Sequence, residues 1–93
     1  MNSEQYTFDE LKYNVIIDEY GSKIYRNQKG ELHRDEGPAV IWRNGQQAWY
    51  RNGKYHREDG PAIIWADGTQ FWFLNDIEYT KEEWEDAIRT RRF

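Results

Sequence analysis

Cysteine is absent from all 93 residues, which excludes disulfide staples, thiolate zinc sites and a cysteine nucleophile and points to a reducing, cytoplasmic setting. Long apolar runs are missing as well, and the opening MNSEQYTFDELKY lacks the apolar core of a signal peptide. Neither a membrane span nor secretion is expected. Positive charge is too dispersed to form a nucleic-acid footprint. The net charge is -4, with Glu4, Asp9, Glu10, Asp18 and Glu19 against Lys12 at one end. Near the other end, Asp76, Glu78, Glu82, Glu83, Glu85 and Asp86 stand against Lys81, before Arg89, Arg91 and Arg92 close the chain. Acidic ends repel phosphates, so nucleic acid is not an expected partner. A chain this short buries a moderate share of its surface and has room for one domain.

What the chain does have is a sentence written twice. His33 to Trp49 reads HRDEGPAVIWRNGQQAW and His56 to Trp72 reads HREDGPAIIWADGTQFW, offset by 23 residues. A fixed short period implies a supersecondary unit that buries its apolar face only by stacking on copies of itself. Aromatic content is high at 17%, with five Trp and seven Tyr, which suits sheets and adhesive interfaces.

Each copy holds a turn dipeptide between apolar, β-prone residues: Asn44-Gly45 between AVIWR and QQAWY, and Asp67-Gly68 between AIIWA and TQFWF. Such dipeptides favour two-residue type I′ hairpins. Asn52-Gly53 offers a third turn and Asn75-Asp76 a weaker fourth. A worn earlier copy is visible in VIIDEYGSKIYRNQKGEL, with Gly21 at the turn and Tyr25 at the position of Trp49 and Trp72. Thr80-Lys81-Glu82-Glu83 is a capping-box pattern, followed by Trp84, Ala87 and Ile88 at helical spacing. The expected fold is mainly β: an antiparallel β-hairpin repeat meander capped by a short C-terminal α-helix. It forms a single domain over 1–93, with a degenerate repeat at 13–30, repeats at 31–53 and 54–79, and the capping helix at 80–92.

Period and layout resemble the MORN repeat, a β-hairpin repeat of about this length. Tyr50, Asn52-Gly53-Lys54, His56, Gly60, Asp67-Gly68 and Trp72 fall close to its tyrosine, N-G-K, histidine, glycine, D-G and aromatic positions. The chain departs from that pattern at Arg57-Glu58-Asp59-Gly60-Pro61-Ala62, where MORN repeats place a tighter glycine pair. HREDGPA with N-G and D-G turns is more similar to divergent MORN-like repeats of small phage and large-DNA-virus proteins. The resemblance spans about residues 15–79 and attaches no catalytic residue to the pattern.

With two-residue turns, Ile41 faces Ala48 and Val40 faces Trp49, while Ile64 faces Phe71 and Ile63 faces Trp72. Alternation then puts Ala39, Ile41, Ala48, Tyr50, Ala62, Ile64, Phe71 and Phe73 on one face. Val40, Trp42, Trp49, Ile63, Trp65 and Trp72 fall on the other, so both faces are expected to be apolar. Trp42, Trp49, Trp65 and Trp72 form the candidate aromatic binding face. Something must cover it: the N-terminal segment with Tyr6, Phe8 and Leu11, the C-terminal helix, sheet curl, a second subunit in a homodimer, or a ligand.

The chemical vocabulary lies in His33-Arg34-Asp35-Glu36 and His56-Arg57-Glu58-Asp59. Histidine beside carboxylates suits acid/base work or a divalent metal. Neither copy carries a nucleophile in register, and the order of the acids swaps between copies. Recurrence just before Gly-Pro fits a corner in which histidine and arginine tie one repeat to the next. A functional pocket here would use His33, Arg34, His56 and Arg57 for an anionic planar ligand such as a nucleotide. No catalytic residue, metal or cofactor is expected. The leading functional expectation is a non-catalytic protein-binding protein, a phage-type accessory protein or inhibitor acting on a host or defence component in the cytoplasm. The alternatives are a protein that sequesters a nucleotide signal and a structural or assembly module.

Overall fold

The computed structural model describes residues 12–93; Tyr6, Phe8 and Leu11 lie outside that range. Among the described residues nine short strands and one helix follow in order. They are β1 (Asn14–Ile17), β2 (Lys23–Arg26), β3 (Val40–Ile41), β4 (Gln47–Ala48), β5 (Tyr50–Arg51), β6 (Lys54–Tyr55), β7 (Ile63–Ile64), β8 (Gln70–Leu74), β9 (Ile77–Tyr79) and α1 (Lys81–Thr90). Seven strands form an antiparallel sheet in the order β1-β2-β3-β4-β7-β8-β9, and β5 and β6 make a separate hairpin between β4 and β7. The expected architecture holds: a mainly β antiparallel meander with one short C-terminal helix.

The turns are a correction. Asn44-Gly45 and Asp67-Gly68 do not close two-residue hairpins. Trp42 N–H donates to the Gln46 carbonyl at 2.9 Å and Trp65 N–H to the Thr69 carbonyl at 2.8 Å, so each loop holds three residues. Gly45 and Gly68, both at φ 92°, take the left-handed position that follows a type I turn. The side chains explain the choice: Asn44 Oδ1 accepts from Gln46 N–H and Asp67 Oδ1 from Thr69 N–H, each at 2.9 Å. The type I′ turns are instead the third and fourth candidates, Asn52-Gly53 at φ 50° and 82° and Asn75-Asp76 at φ 51° and 70°.

One extra loop residue moves the register by one and exchanges side chains between faces. Val40 pairs with Ala48, and Ile63 with Phe71. A single apolar row therefore crosses the sheet as Ile16, Ile24, Val40, Ala48, Ile63 and Phe71. The neighbouring row on the opposite face alternates Ile17, Lys23, Ile41, Gln47, Ile64 and Gln70. Both faces still carry apolar side chains, because Tyr25, Trp49 and Trp72 lie beside that mixed row, but the allocation of residues between the faces differs from the expected one.

The helix forms as its sequence dictates. Thr80 Oγ1 accepts from Glu83 N–H at 3.1 Å, and Glu83 Oε1 accepts from Thr80 N–H at 2.9 Å. Arg91 ends it in the left-handed conformation at φ 56°. The core is small: Tyr13, Tyr25, Ala39, Val40, Ala48, Ala62, Leu74 and Ala87 are buried, and Leu74 is the large side chain with no exposure at all. Much of the cohesion must come from contacts between units.

Candidate functional site

The two HR segments build the same corner twice. His33 Nδ1 accepts from the backbone N–H of Asn52 at 2.9 Å, and His56 Nδ1 accepts from that of Asn75 at 3.0 Å. Each histidine thus caps the type I′ turn of the following unit. Because a backbone donor occupies Nδ1, the proton sits on Nε2, which donates to the acid two residues on. Those bonds are 2.9 Å to Asp35 and 2.7 Å to Glu58. Arg51 Nη1 approaches His56 Nε2 at 3.2 Å but donates to Glu58, 3.0 Å away.

The arginines form the second half of the device. The Arg34 guanidinium lies 4.0 Å over the Tyr25 ring and that of Arg57 3.8 Å over the Trp49 ring. Their Nη1 atoms donate to the Pro38 and Pro61 carbonyls at 3.2 and 3.0 Å. Tyr25 stands where Trp49 stands, as the worn repeat suggests. Backbone links match too: His33 N–H donates to Tyr25 and His56 N–H to Trp49, both at 3.1 Å.

Glycine precedes each proline because the guanidinium needs the space. A Cβ on Gly60 would stand 2.8 Å from Arg57 Cζ, and one on Gly37 3.0 Å from Arg34 Cζ. Neither glycine has the positive φ seen at the turns. Gly60→Ala is therefore expected to displace Arg57 from Trp49, costing about 1 kcal/mol through the lost cation–π contact and hydrogen bond. In an Arg57→Ala background the same change is expected to be neutral or slightly stabilising, since alanine restricts the unfolded chain. Urea melts of the four chains decide this: equal effects in both backgrounds would remove the steric explanation.

The residues flanking the sheet, Lys12 and Tyr13 before it and α1 with Arg91 after it, sit on the corners. Tyr13 OH accepts from Asp35 N–H at 2.9 Å, and Lys12 Nζ lies 3.0 Å from Asp35 Oδ2. At the second corner, Trp84 Nε1 donates to the Arg57 carbonyl and Arg91 Nη1 to Glu58 Oε1, each at 3.0 Å. His56, with Arg91 and Arg51, holds the Glu58 carboxyl down at about 2. The Lys12 ammonium likewise lowers Asp35.

The four residues expected to share one pocket are divided. Arg34, His56 and Arg57 line a cleft of about 520 Å³ between the corners, floored by Trp49 and Tyr50, while His33 borders a different hollow beside Tyr13 and Asn52. In the first cleft Arg57 is committed to Trp49, Pro61 and Asp59, whose Oδ1 accepts from its Nε at 2.8 Å. Asp35, Glu36, Glu58 and Asp59 offset Arg34, Arg51 and Arg57, so the cleft offers an anion no net positive charge.

The four tryptophans are divided as well. Trp42 and Trp65 lie two residues beyond Val40 and Ile63 and share the apolar face; Trp49 and Trp72, one residue beyond Ala48 and Phe71, lie on the opposite face. The one-residue register shift separates them, so they do not make one aromatic surface. Trp65 is 45% exposed and packs on Phe71 with ring centroids 5.0 Å apart. Sequence reasoning missed Ile24 and the glycine spacers Gly37 and Gly60. The constant offset from His33 to Asn52 and from His56 to Asn75, 19 residues each, was the available signal for the caps.

Among the described residues no group of three or more His, Asp or Glu side chains is placed to hold a metal ion, and no helix is long and apolar enough to cross a membrane. Comparison with protein-family models, curated proteins and solved structures finds no significant match.

Proposed function

We propose that this chain is a non-catalytic protein-binding repeat protein, a phage-type accessory protein or inhibitor that acts inside a bacterial cell on a host or defence component. The observation that carries the binding reading is the apolar row from Ile16 to Phe71, flanked by Trp42 and Trp65. Ile16 and Trp65 are 48% and 45% exposed, so part of that surface is wet in the isolated chain. Rigid, partly exposed aromatics beside aliphatic residues are the usual composition of an interface centre. The non-catalytic reading is supported by the histidines, whose Nδ1 lone pairs are spent on the turns of Asn52 and Asn75. The phage-type assignment rests on the MORN-like repeat wording.

Mixed at micromolar concentration with a panel of bacterial defence proteins, the chain is expected to co-elute with one of them in gel filtration. Trp65→Asp is expected to abolish that complex while leaving the circular dichroism spectrum intact. Failure of the wild type to bind any panel member overturns the inhibitor reading; a chain that elutes as a dimer and binds nothing assigns the face to a second copy. The balanced charge of the cleft weighs against nucleotide capture, and a rise in melting temperature with any nucleotide would reverse that judgement.

A further inference from the structure

We propose that the groove beside Trp72 is a receptor for an arginine side chain supplied by a partner protein. The argument comes from what the two preceding units do with the same position. Tyr25, Trp49 and Trp72 occupy equivalent places in successive units. Each is cross-strand to the residue that opens the next corner: His33 donates to the Tyr25 carbonyl, His56 to the Trp49 carbonyl, and Tyr79 pairs with Trp72.

In the first two units the next residue is arginine, and its guanidinium covers the ring at 4.0 Å and 3.8 Å. In the third unit the arginine position is Thr80, which caps α1 instead. The array therefore ends with a third ring whose arginine is not encoded at that position. Among the described residues no cation lies over Trp72, whereas Tyr25 and Trp49 are each covered.

The space is present. Trp72 and Tyr79 line a groove of about 440 Å³, with Phe71 at one side and Glu78, Lys81 and Glu83 around the rim. Two carboxylates against one ammonium give that rim a negative balance, which suits a cation and disfavours an anion. Tryptophan is the best of the aromatic rings for a cation. Arginine is favoured over lysine because its planar, weakly hydrated guanidinium stacks on the ring, as Arg34 and Arg57 already do.

The inference draws on the protein-binding reading only for the source of the arginine. Trp72 points to the face opposite the apolar row, which meets the groove at Phe71, so substitutions at Trp72 and at Trp65 test the two surfaces separately.

The experiment uses the full chain, 15N-labelled, titrated with N-acetyl-arginine methylamide while the indole N–H signals are followed. The expected result is saturable movement of the Trp72 signal with a dissociation constant of roughly 10–50 mM, as befits a single cation–π site. The lysine analogue is expected to bind at least about three-fold more weakly. Trp72→Leu should remove the response of neighbouring Tyr79, and Trp65→Leu should leave it unchanged. An unmoved Trp72 signal overturns the proposal, as does equal movement of the Trp42, Trp65 and Trp72 signals. Should Trp72→Leu fail to fold, the wild-type titration against the lysine analogue still decides. A failed titration alongside an intact partner complex removes this site and leaves the apolar-face reading standing.

Discussion

Replacement of His56 by alanine is expected to lower the stability of the fold by about 2–4 kcal/mol. For a domain of this size that corresponds to a fall in melting temperature on the order of 10–25 °C. Three losses combine. The Asn75 N–H loses its acceptor at 3.0 Å, the Glu58 carboxylate loses its 2.7 Å donor, and a buried ring leaves a void between two units. His33→Ala should cost clearly less, because the His33 side chain is 14% exposed against 4% for His56 and water can replace part of what it does. Near-equal effects of the two substitutions would show that burial does not set the strength of the cap.

The same variant has a signature in acid. Glu58 is held at about 2, below its ordinary 4.5, first by His56 and then by Arg91 and Arg51. A depressed carboxylate contributes stability that is fully present above pH 4.5 and lost as pH falls towards 2, because the unfolded chain then binds the extra proton. With the carboxylate partly open to water, about 1–2 kcal/mol should disappear across that window in the wild type. In His56→Ala the Glu58 carboxyl returns towards its ordinary range and the slope of melting temperature against pH between 5 and 2 flattens. An unchanged slope would mean that Arg51 and Arg91 alone hold the carboxylate.

The corner explains which parts of the molecule its sequence displays. Units, meander and helix are legible because local chemistry dictates them: Thr80 and Glu83 satisfy each other's backbone N–H groups whatever lies nearby. The equivalence of Tyr25 with Trp49 is legible from spacing, whereas the arginines that cover the two rings, Arg34 and Arg57, are seen only in the structure.

Turn type is not legible from the dipeptide. Asn-Gly serves both loop lengths; the outcome at Asn44 turns on whether its Oδ1 bonds forward to Gln46, while at Asn52 the backbone N–H is already taken by His33. That difference of one residue decides which side chains share a face, so Trp42 and Trp65 part from Trp49 and Trp72 although the meander is as expected. The pocket is illegible for a related reason. His33 and His56 act on the unit after their own, so residues adjacent in sequence to Arg34 and Arg57 serve different neighbours in space.

Leu74→Ala tests the opposite kind of cohesion and is expected to cost about 3–4 kcal/mol, within the range for a fully enclosed leucine whose site collapses incompletely. Leu74 is 0% exposed, while Ile77, its cross-strand neighbour, is 60% exposed. The little apolar core at this end is thus concentrated on one side chain of β8, the strand on which α1 packs. Units in a stacked array couple through their neighbours, so the damage should be graded along the sheet and not uniform. Amide exchange in Leu74→Ala should lose protection first in α1 and in the β8–β9 hairpin, with the β1–β2 pairing weakened least. His56→Ala, acting one corner earlier, should instead spread its effect to both sides of the β5–β6 hairpin. Ile17→Ala, at a position 69% exposed, should stay within about 0.5 kcal/mol of the wild type. A cost for Leu74→Ala below about 1 kcal/mol would place the cohesion of this end in its ion pairs and caps, because a leucine deleted from a closed site has no cheaper way to be lost.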